Sequence, residues 1–294
     1  MHLDLHFKNQ EHIFNIHEEG TPYLSFRAID DTGMFTNAFS TRLGGVSEGY
    51  LSTMNLTFRK AGEKREHVLE NYRRLSEAAG FSMDHMVLSN QVHGTDIIEV
   101  GEEDIGKGVT REQDYESADG MVTDVPGLTL VTFYADCVPL YFADPVHKAI
   151  GLSHSGWRGT VRRIGQRTLS LMEKLYGSDP RDVICCIGPS ICRDCFEVGP
   201  EVAEAFFEAY PEDWHADIVR GPVLSPSGEE KYHIDLWRAN ELMLLEAGAR
   251  KDHIHVTNIC TRCNPDILWS HRDAGPMRGN MAAFLSIKND DRRM

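Results

Sequence analysis

The chain has 294 residues, of which 41% are hydrophobic, and its formal net charge is -15 at pH 7. This length is enough to bury one sizeable hydrophobic core. An acidic surface repels nucleic-acid phosphates and anionic lipid headgroups, so neither nucleic acid nor a membrane is expected as a partner. A local basic pocket for a small anion is compatible with this charge.

Targeting signals and cysteine usage indicate the cellular compartment. The first ten residues, MHLDLHFKNQ, lack the basic and apolar regions of a signal peptide. No stretch approaches the roughly 20 apolar residues that span a bilayer. The seven cysteines are an odd number in a long chain, which favours reduced thiols over a disulfide framework. We therefore expect a cytoplasmic protein.

Two kinds of periodicity predict interleaved helices and strands. Apolar residues at helical spacing, followed by glycine, indicate helices, and short apolar runs indicate strands covered on both faces. In chain order, the predicted elements are a helix over residues 64–79, strands over 86–89, 128–134, 138–142 and 149–153, a helix over 160–176, a strand over 183–187, helices over 201–210 and 236–247, and a strand over 255–259. This order favours an α/β layered sandwich of mixed sheets and helices.

No internal repeat or low-complexity linker divides the chain. The most polar stretch, residues 101–117, is expected to be an exposed connection within one domain. Segments that we expect to meet in one site, described next, lie on both sides of residues 101–117. We therefore predict a single domain over residues 1–294, with its core at about 20–288.

Three short segments place polar residues at the ends of apolar strands. They are SNQVHG (89–94), YADCVPL (134–140) and LSHSGWRG (152–159). Strand ends present side chains from a rigid scaffold, so such segments are typical of binding and catalytic sites. Each segment holds one side chain that can ligate a metal, namely His93, Cys137 or His154.

The surroundings of the cysteine and of the second histidine indicate local breaks in the strands. Asp136 and Pro139 are both unfavourable inside a central strand, so the chain is expected to bulge at Cys137. This weakens the simpler interpretation of Cys137 as a small buried core residue. His154 precedes a Ser-Gly-Trp-Arg-Gly turn that leads into a predicted helix. Backbone N–H groups at that helix start, with Arg158 nearby, are suited to hold an anion.

Together, His93, Cys137 and His154 predict a metal site. A lone histidine such as His93 is usually a structural or merely solvated residue, so the combination of the three residues carries the prediction. Two imidazoles and one thiolate suit zinc or copper, and three protein ligands leave a fourth position for water or substrate, as in catalytic zinc sites. We predict that these three residues are catalytic and hold one metal ion, zinc, with copper as the alternative.

Two Cys-x-x-Cys pairs, Cys192/Cys195 and Cys260/Cys263, provide further thiols. Four such thiolates can form a structural zinc site. The two pairs are much further apart along the chain than in a compact zinc ribbon. This separation favours a different interpretation, in which they are neighbouring thiols in loops.

The motifs, taken in order, resemble the YfiH-type, or laccase-domain, family of purine nucleoside phosphorylases. Each motif is weak alone, but jointly they are highly specific and cover nearly the whole chain. They are FSTRLGGVS (39–47), MNL (54–56), QVHG (91–94), ADCVP (135–139), HSGWRG (154–159), IGPSI (187–191), FEVG (196–199), CT (260–261) and SHR (270–272).

The resemblance implies a fold, a metal site and a reaction. The implied fold is an α/β fold related to the CNF-type bacterial cysteine-hydrolase toxins. The implied metal ligands are again His93, Cys137 and His154. The implied reaction is phosphorolysis of adenosine, inosine, guanosine and methylthioadenosine, accompanied by adenosine deaminase activity. The expected partners are therefore purine nucleosides and phosphate.

Phosphorolysis needs an anion site beside the ribose and a way to stabilise the departing base. Arg42, whose following glycines permit close backbone approach, and Arg158 are the candidate phosphate-binding residues. His271 and Asp136 are candidates for protonating the purine. The family commonly has TGRMA near its C-terminal end, where this chain has HRDAGPMRGNMAAF (271–284). Asn280 therefore stands where the last arginine would be, and an arginine lies two residues earlier.

Two other functions fit parts of the same pattern. A copper polyphenol oxidase would accept the same three ligands, but a multicopper enzyme typically has repeated His-x-His pairs, and this chain has only His253/His255. A metal-free amide hydrolase would use Cys137 as nucleophile and His154 as base, with a peptidoglycan precursor as substrate. Metal analysis of the purified protein separates these alternatives.

Overall fold

The strands form two six-stranded sheets and one three-stranded sheet in a computed structural model that describes residues 2–289. In chain order they are β1 (Phe14–His17), β2 (Tyr23–Phe26), β3 (Phe35–Ser40), β4 (Met86–Leu88), β5 (Ile97–Glu99), β6 (Gly120–Thr123), β7 (Thr129–Tyr134), β8 (Val138–Asp144), β9 (Ala149–Ser155), β10 (Ile184–Ile187), β11 (Glu197–Val198), β12 (Val219–Leu224), β13 (Glu230–Ile234), β14 (Ile254–Val256) and β15 (Met281–Ile287).

The first large sheet has the order β1-β2-β3-β15-β7-β4, and the second has the order β14-β10-β8-β9-β6-β5. The small sheet has the order β11-β13-β12. Parallel pairs, such as β4 with β7 and β10 with β14, occur beside antiparallel pairs such as β8 with β9. These mixed sheets confirm the predicted class. In the first sheet, β15 lies between β3 and β7, although it is far from both in sequence.

Eight α-helices lie within residues 2–289, and the three longest pack on the faces of the two large sheets. The eight are α1 (Arg27–Asp30), α2 (Arg65–Ala79), α3 (Trp157–Val161), α4 (Ile164–Tyr176), α5 (Pro200–Ala209), α6 (Glu212–Ile218), α7 (Leu236–Glu246) and α8 (His271–Ala274). Helix α2 packs on the first sheet, and α4 and α7 pack on the second. No helix within residues 2–289 is long and apolar enough to cross a membrane.

Side chains alternate between the inner core and the helix layers along the central strands. In β8, Tyr141 packs in the core between the sheets, whereas Leu140 and Phe142 pack with α4 and α7. The Tyr141 hydroxyl donates to the carbonyl of Ala38 in β3 at 2.8 Å, which links the two large sheets. The continuous apolar runs in the sequence therefore arise because both faces of these strands are buried.

The predicted helix over 160–176 is divided into α3 and α4. Arg163, between them, has φ 62, a left-handed conformation that ends one helix before the next begins. The predicted strand over 255–259 ends early, because after Val256 the chain leaves β14 and pairs with the N-terminal segment through Phe7 and Ile259.

The prediction that residues 101–117 form an exposed connection is wrong for the central part of this loop. Val109 is completely buried, and the N–H of Leu88 donates to the carbonyl of Lys107 at 3.0 Å. The side chains of Gln113 and Tyr115 both donate to the carbonyl of Leu88. The loop therefore packs against the end of β4 as an ordered part of the fold.

The two Cys-x-x-Cys pairs lie together in the turns that follow β10 and β14. Strands β10 and β14 run parallel, so the chain leaves both at the same edge of the second sheet. The turns that follow bring Cys192, Cys195, Cys260 and Cys263 into one group, with all four sulfur atoms within 4.8 Å of one another. The expectation of neighbouring thiols in loops is confirmed, and all four sulfur atoms meet although the two pairs are far apart in sequence, because sequence separation does not limit contact between neighbouring parallel strands.

Candidate active site

The three predicted metal ligands converge where strands of both large sheets end. Cys137 lies in the turn between β7 and β8, His154 lies in β9, and His93 follows β4. Their ligand atoms, two ring nitrogens and one sulfur, all lie within 4.8 Å of one another. A tetrahedral zinc ion with these donors needs separations of roughly 3.3 to 3.8 Å between ligand atoms. The donor set and its spacing therefore fit a single metal ion.

Asp119 organises the turn that carries the first histidine. His93 has φ 61, which is uncommon for a residue other than glycine. The backbone N–H groups of Val92, His93 and Gly94 donate to the Asp119 carboxylate at 3.0, 3.1 and 2.8 Å. These three charge-assisted hydrogen bonds stabilise the strained turn and fix the backbone that carries the His93 side chain.

The same carboxylate orients the second histidine. The Nδ1–H of His154 donates to Oδ1 of Asp119 at 2.8 Å, and both side chains are almost completely buried. The Nε2 atom of His154 is therefore the one available to a metal. A carboxylate behind a ligating imidazole is the usual second partner in histidine metal sites. The sequence analysis missed Asp119; its only signal is an aspartate directly before the apolar run of β6.

Burial and mutual charge shift the pKa values in this site. Burial opposes ionisation of the Cys137 thiol, but His154 and His93 lower its pKa to about 6. Burial likewise opposes protonation of His154, but the Cys137 sulfur and Asp119 raise its pKa to about 9. The pKa of Asp119 is lowered despite its burial, because of His154 and the backbone N–H groups. The site thus favours a thiolate, the form that binds metals.

Gly156 leaves the space in which the three ligands meet. A Cβ atom at this position would lie 3.2 Å from the Cys137 sulfur, 3.4 Å from Cδ2 of His93 and 3.5 Å from Cε1 of His154. The backbone at Gly156 has φ -66 and ψ 171, which any residue adopts. Glycine is therefore required here for its size and not for its conformational freedom.

A cavity of about 820 Å³ opens in front of the three ligands. This volume is within the range of small-molecule sites, roughly 300 to 1,000 Å³. Phe58, Phe133 and Tyr115 provide aromatic surface, and the loop 101–117 forms one wall. The lining also contains several basic side chains: Arg59, Lys60, Arg65, Arg111 and Arg278.

Arg278 and Lys60 are neighbouring cations in the lining of this cavity. Nη1 of Arg278 donates to the Gly279 carbonyl and to Oδ1 of Asn280, but its buried Nε has no hydrogen-bond partner. Burial lowers the pKa of Arg278, and burial together with the nearby Arg278 lowers that of Lys60. Two adjacent, partly desolvated cations are suited to a small anion.

Comparison with known proteins identifies the family. The sequence profile of the family described as multi-copper polyphenol oxidoreductase laccase matches residues 36–288. The chain belongs to the YfiH-type, laccase-domain family. This laccase-domain chain is 34% identical to the purine nucleoside phosphorylase YlmD of Geobacillus stearothermophilus over 259 residues, covering 85% of this chain and 89% of the relative.

A second relative and a solved structure agree with this assignment. A purine nucleoside phosphorylase of Bacteroides thetaiotaomicron is 34% identical over 267 residues, covering 90% of this chain and 96% of the relative. The crystal structure of YfiH from Bacillus licheniformis has a TM-score of 0.84 and 28% identity, and it covers 95% of this chain and 100% of the other. The laccase domain therefore spans nearly the full length of the chain.

Three residues proposed from the sequence to bind substrate lie outside the lining of the laccase-domain cavity. Arg42 stacks on the Trp269 ring at 3.7 Å and donates to the carbonyl of Pro265, so its contacts are structural. Arg158 is exposed and lies over the Trp157 ring at 4.4 Å. His271 is exposed and hydrogen-bonds to the carbonyl of Gly275.

Proposed function

We propose that the protein is a metal-dependent purine nucleoside phosphorylase, with zinc at His93, Cys137 and His154. One observation carries this proposal: Arg278 and the neighbouring Lys60 line the same cavity as the three ligands, and both are partly desolvated cations. Phosphorolysis requires an anion site beside the ribose, and these two cations can supply it. The names of the relatives, purine nucleoside phosphorylases, support the same reaction.

In this reaction, an oxygen of inorganic phosphate forms a bond to C1′ of the ribose as the bond from C1′ to the purine breaks. The bonding electron pair leaves with the base, which gains a proton. Arg278 and Lys60 hold the phosphate against the ribose, and their positive charges offset the negative charge of the phosphate. Phe58, Phe133 and Tyr115 offer flat apolar surface for the purine.

The metal ligands contribute by position and charge. His93, Cys137 and His154 would hold the ion, which supplies Lewis-acid chemistry and activates water as a nucleophile. Asp119 keeps His154 in the tautomer that exposes Nε2.

We assign to the same site the wider substrate range of adenosine, inosine, guanosine and methylthioadenosine, and adenosine deamination. The donor set also accepts copper. We place the enzyme in the cytoplasm.

The test is product analysis after incubation of zinc-loaded protein with adenosine, with and without phosphate. Adenine and ribose 1-phosphate are expected only when phosphate is present, and inosine is expected in both cases. Arg278→Met should lower phosphorolysis by roughly ten- to a hundredfold, because a charge-assisted contact contributes about 1.5 to 3 kcal/mol. Deamination should change much less.

Arg158→Met is the matched control, because it removes a cation that lies outside the cavity lining. It should leave phosphorolysis within about twofold of the original rate, since surface charges contribute little at a distance. Equal losses in the two variants would contradict the assignment of the anion site. Absence of base release from every purine nucleoside tested would refute the proposed function.

A second candidate function rests on a different observation. Cys137, His154 and Asp119 lie in the order nucleophile, base and orienting carboxylate, which is also the arrangement of cysteine hydrolases. A relation to the CNF-type toxins would support an amide substrate such as a peptidoglycan precursor. A zinc-bound thiolate is a poor nucleophile, so amide hydrolysis by chelator-treated protein, lost on adding zinc, would favour this candidate.

A further inference from the structure

The group of four cysteines lies outside the proposed active site and has no part in the proposed reaction. None of its members, Cys192, Cys195, Cys260 and Cys263, lines the cavity. All four are free thiols, and two of them are buried. Four thiols at this spacing need an explanation, because one isolated cysteine is an ordinary core residue but such a group is typical of metal sites.

The fold forms this group from two similar turns. Strands β10 and β14 pair in parallel, and a further parallel bridge joins Ser190 to Cys260 beyond their ends. Each turn then places its second cysteine three residues after the first. Paired Cys-x-x-Cys turns of this kind supply two ligands each in structural zinc sites.

The distances fit a metal and not a disulfide. Sγ of Cys195 lies 3.6 Å from Sγ of Cys263. Two zinc–sulfur bonds of about 2.3 Å at the tetrahedral angle separate their sulfur atoms by about 3.8 Å. A disulfide would need about 2.05 Å. The observed separation therefore leaves room for an ion between the two sulfur atoms.

Hydrogen bonds to the sulfur atoms favour thiolates. The N–H of Cys192 donates to Sγ of Cys260 at 3.3 Å. The N–H of Cys195 donates to the Cys192 sulfur, and the N–H of Cys263 donates to the Cys260 sulfur. Lys8 places its ammonium group against the Cys192 sulfur as well. Backbone donors and a nearby cation stabilise the negative charge of a four-thiolate site.

We propose that Cys192, Cys195, Cys260 and Cys263 bind a structural zinc ion, separate from the metal of the active site. Tetrahedral coordination by four thiolates closes the coordination sphere, so this ion takes no substrate. The ion holds the two turns together. Such a cross-link suits short segments that contain little regular secondary structure.

The proposed zinc site is connected to the active site through Asp136, the residue before Cys137. The Thr261 hydroxyl donates to Oδ1 of Asp136 at 2.6 Å, and the N–H of Ile191 donates to its carbonyl at 3.0 Å. Asp136 has φ 88, a conformation that needs support from its surroundings. Because Ile191 and Thr261 adjoin the two turns, the structural zinc also positions the backbone that carries Cys137.

The experiment is metal analysis and native mass spectrometry of protein purified without chelators. Two zinc ions per chain are expected in the original protein. One is expected in Cys137→Ala, and one in the double variant Cys195→Ser, Cys263→Ser, whose changed residues are both partly exposed. Cys185→Ala, which alters a core cysteine outside both groups, is the matched control and should retain two zinc ions.

Three results would overturn the proposal. They are a Cys137→Ala protein that contains no zinc, iron in place of zinc at the four cysteines, and a disulfide among them in protein prepared without oxygen. If the double variant does not fold, cobalt(II) loading of Cys137→Ala decides, because four thiolates give strong sulfur-to-cobalt absorption that His93 and His154 cannot give; absence of that absorption would overturn the proposal. Failure of the proposed phosphorylase reaction would leave this result unaffected, since no step of the test measures activity.

Discussion

Replacing Gly156 by alanine tests whether close packing around the ligands determines metal affinity. The added Cβ would lie 3.2 Å from the Cys137 sulfur, whereas favourable contacts of carbon atoms begin at about 3.5 to 4.0 Å. The sulfur must therefore move by a few tenths of an ångström, whereas metal–ligand distances tolerate only about 0.2 Å. We expect Gly156→Ala to weaken zinc binding by roughly ten- to a hundredfold, the usual effect of disturbing the support of a metal site.

Zinc affinity would be measured by competition with a chromogenic chelator at fixed pH. Gly199→Ala is the control, because Gly199 also precedes a helix and has φ -78 and ψ 173, close to the values at Gly156. Its added Cβ would meet mainly the end of the exposed Glu201 side chain, which can move away. Equal zinc affinity in Gly156→Ala and Gly199→Ala would refute the packing argument.

Three further outcomes follow from the structure. Asp119→Asn should weaken zinc binding by roughly ten- to a hundredfold when measured by chelator competition. The control is Asp144→Asn, which alters a buried carboxylate that pairs with His147 at 2.9 Å and should leave zinc affinity unchanged. Removing the metal should lower the melting temperature, because an ion present at about 1,000 times its Kd stabilises the fold by about 4 kcal/mol. Equal melting temperatures of the metal-loaded and metal-free protein in calorimetry would contradict this stabilisation. Proteolytic cleavage at the exposed Arg111 should leave both fragments associated on gel filtration, and two separately folded fragments would disprove a single domain.

The convergence of His93, Cys137 and His154 could be predicted from the sequence because each lies at or just beyond the end of an apolar strand. Polar residues at such positions are a local signal, and Cys137 between Asp136 and Pro139 is the clearest example. The central strands were predictable for the same reason, since burial on both faces leaves continuous apolar runs. Shorter strands such as β5, with three residues, offer too little periodicity to detect.

The supporting residues could not be predicted, because their roles depend on contacts between distant parts of the chain. Asp119 receives hydrogen bonds from a turn some 25 residues earlier and from His154. Arg278 reaches the cavity only because β15 brings its neighbourhood beside β7. Arg42 appeared suited to phosphate because two glycines follow it, but local sequence does not reveal that its guanidinium stacks on Trp269.

The position of β15 has a consequence for how the protein is made. This strand fills the middle of the first sheet, between β3 and β7, but it is synthesised about 150 residues after β7. A growing chain therefore exposes two unpaired strand edges on the ribosome until residues 281–287 emerge, and such edges promote aggregation. Folding of the first sheet must be completed after most of the chain has been translated. Expression fragments that stop before Met281 are accordingly expected to be insoluble, even though every proposed active-site residue is present in them.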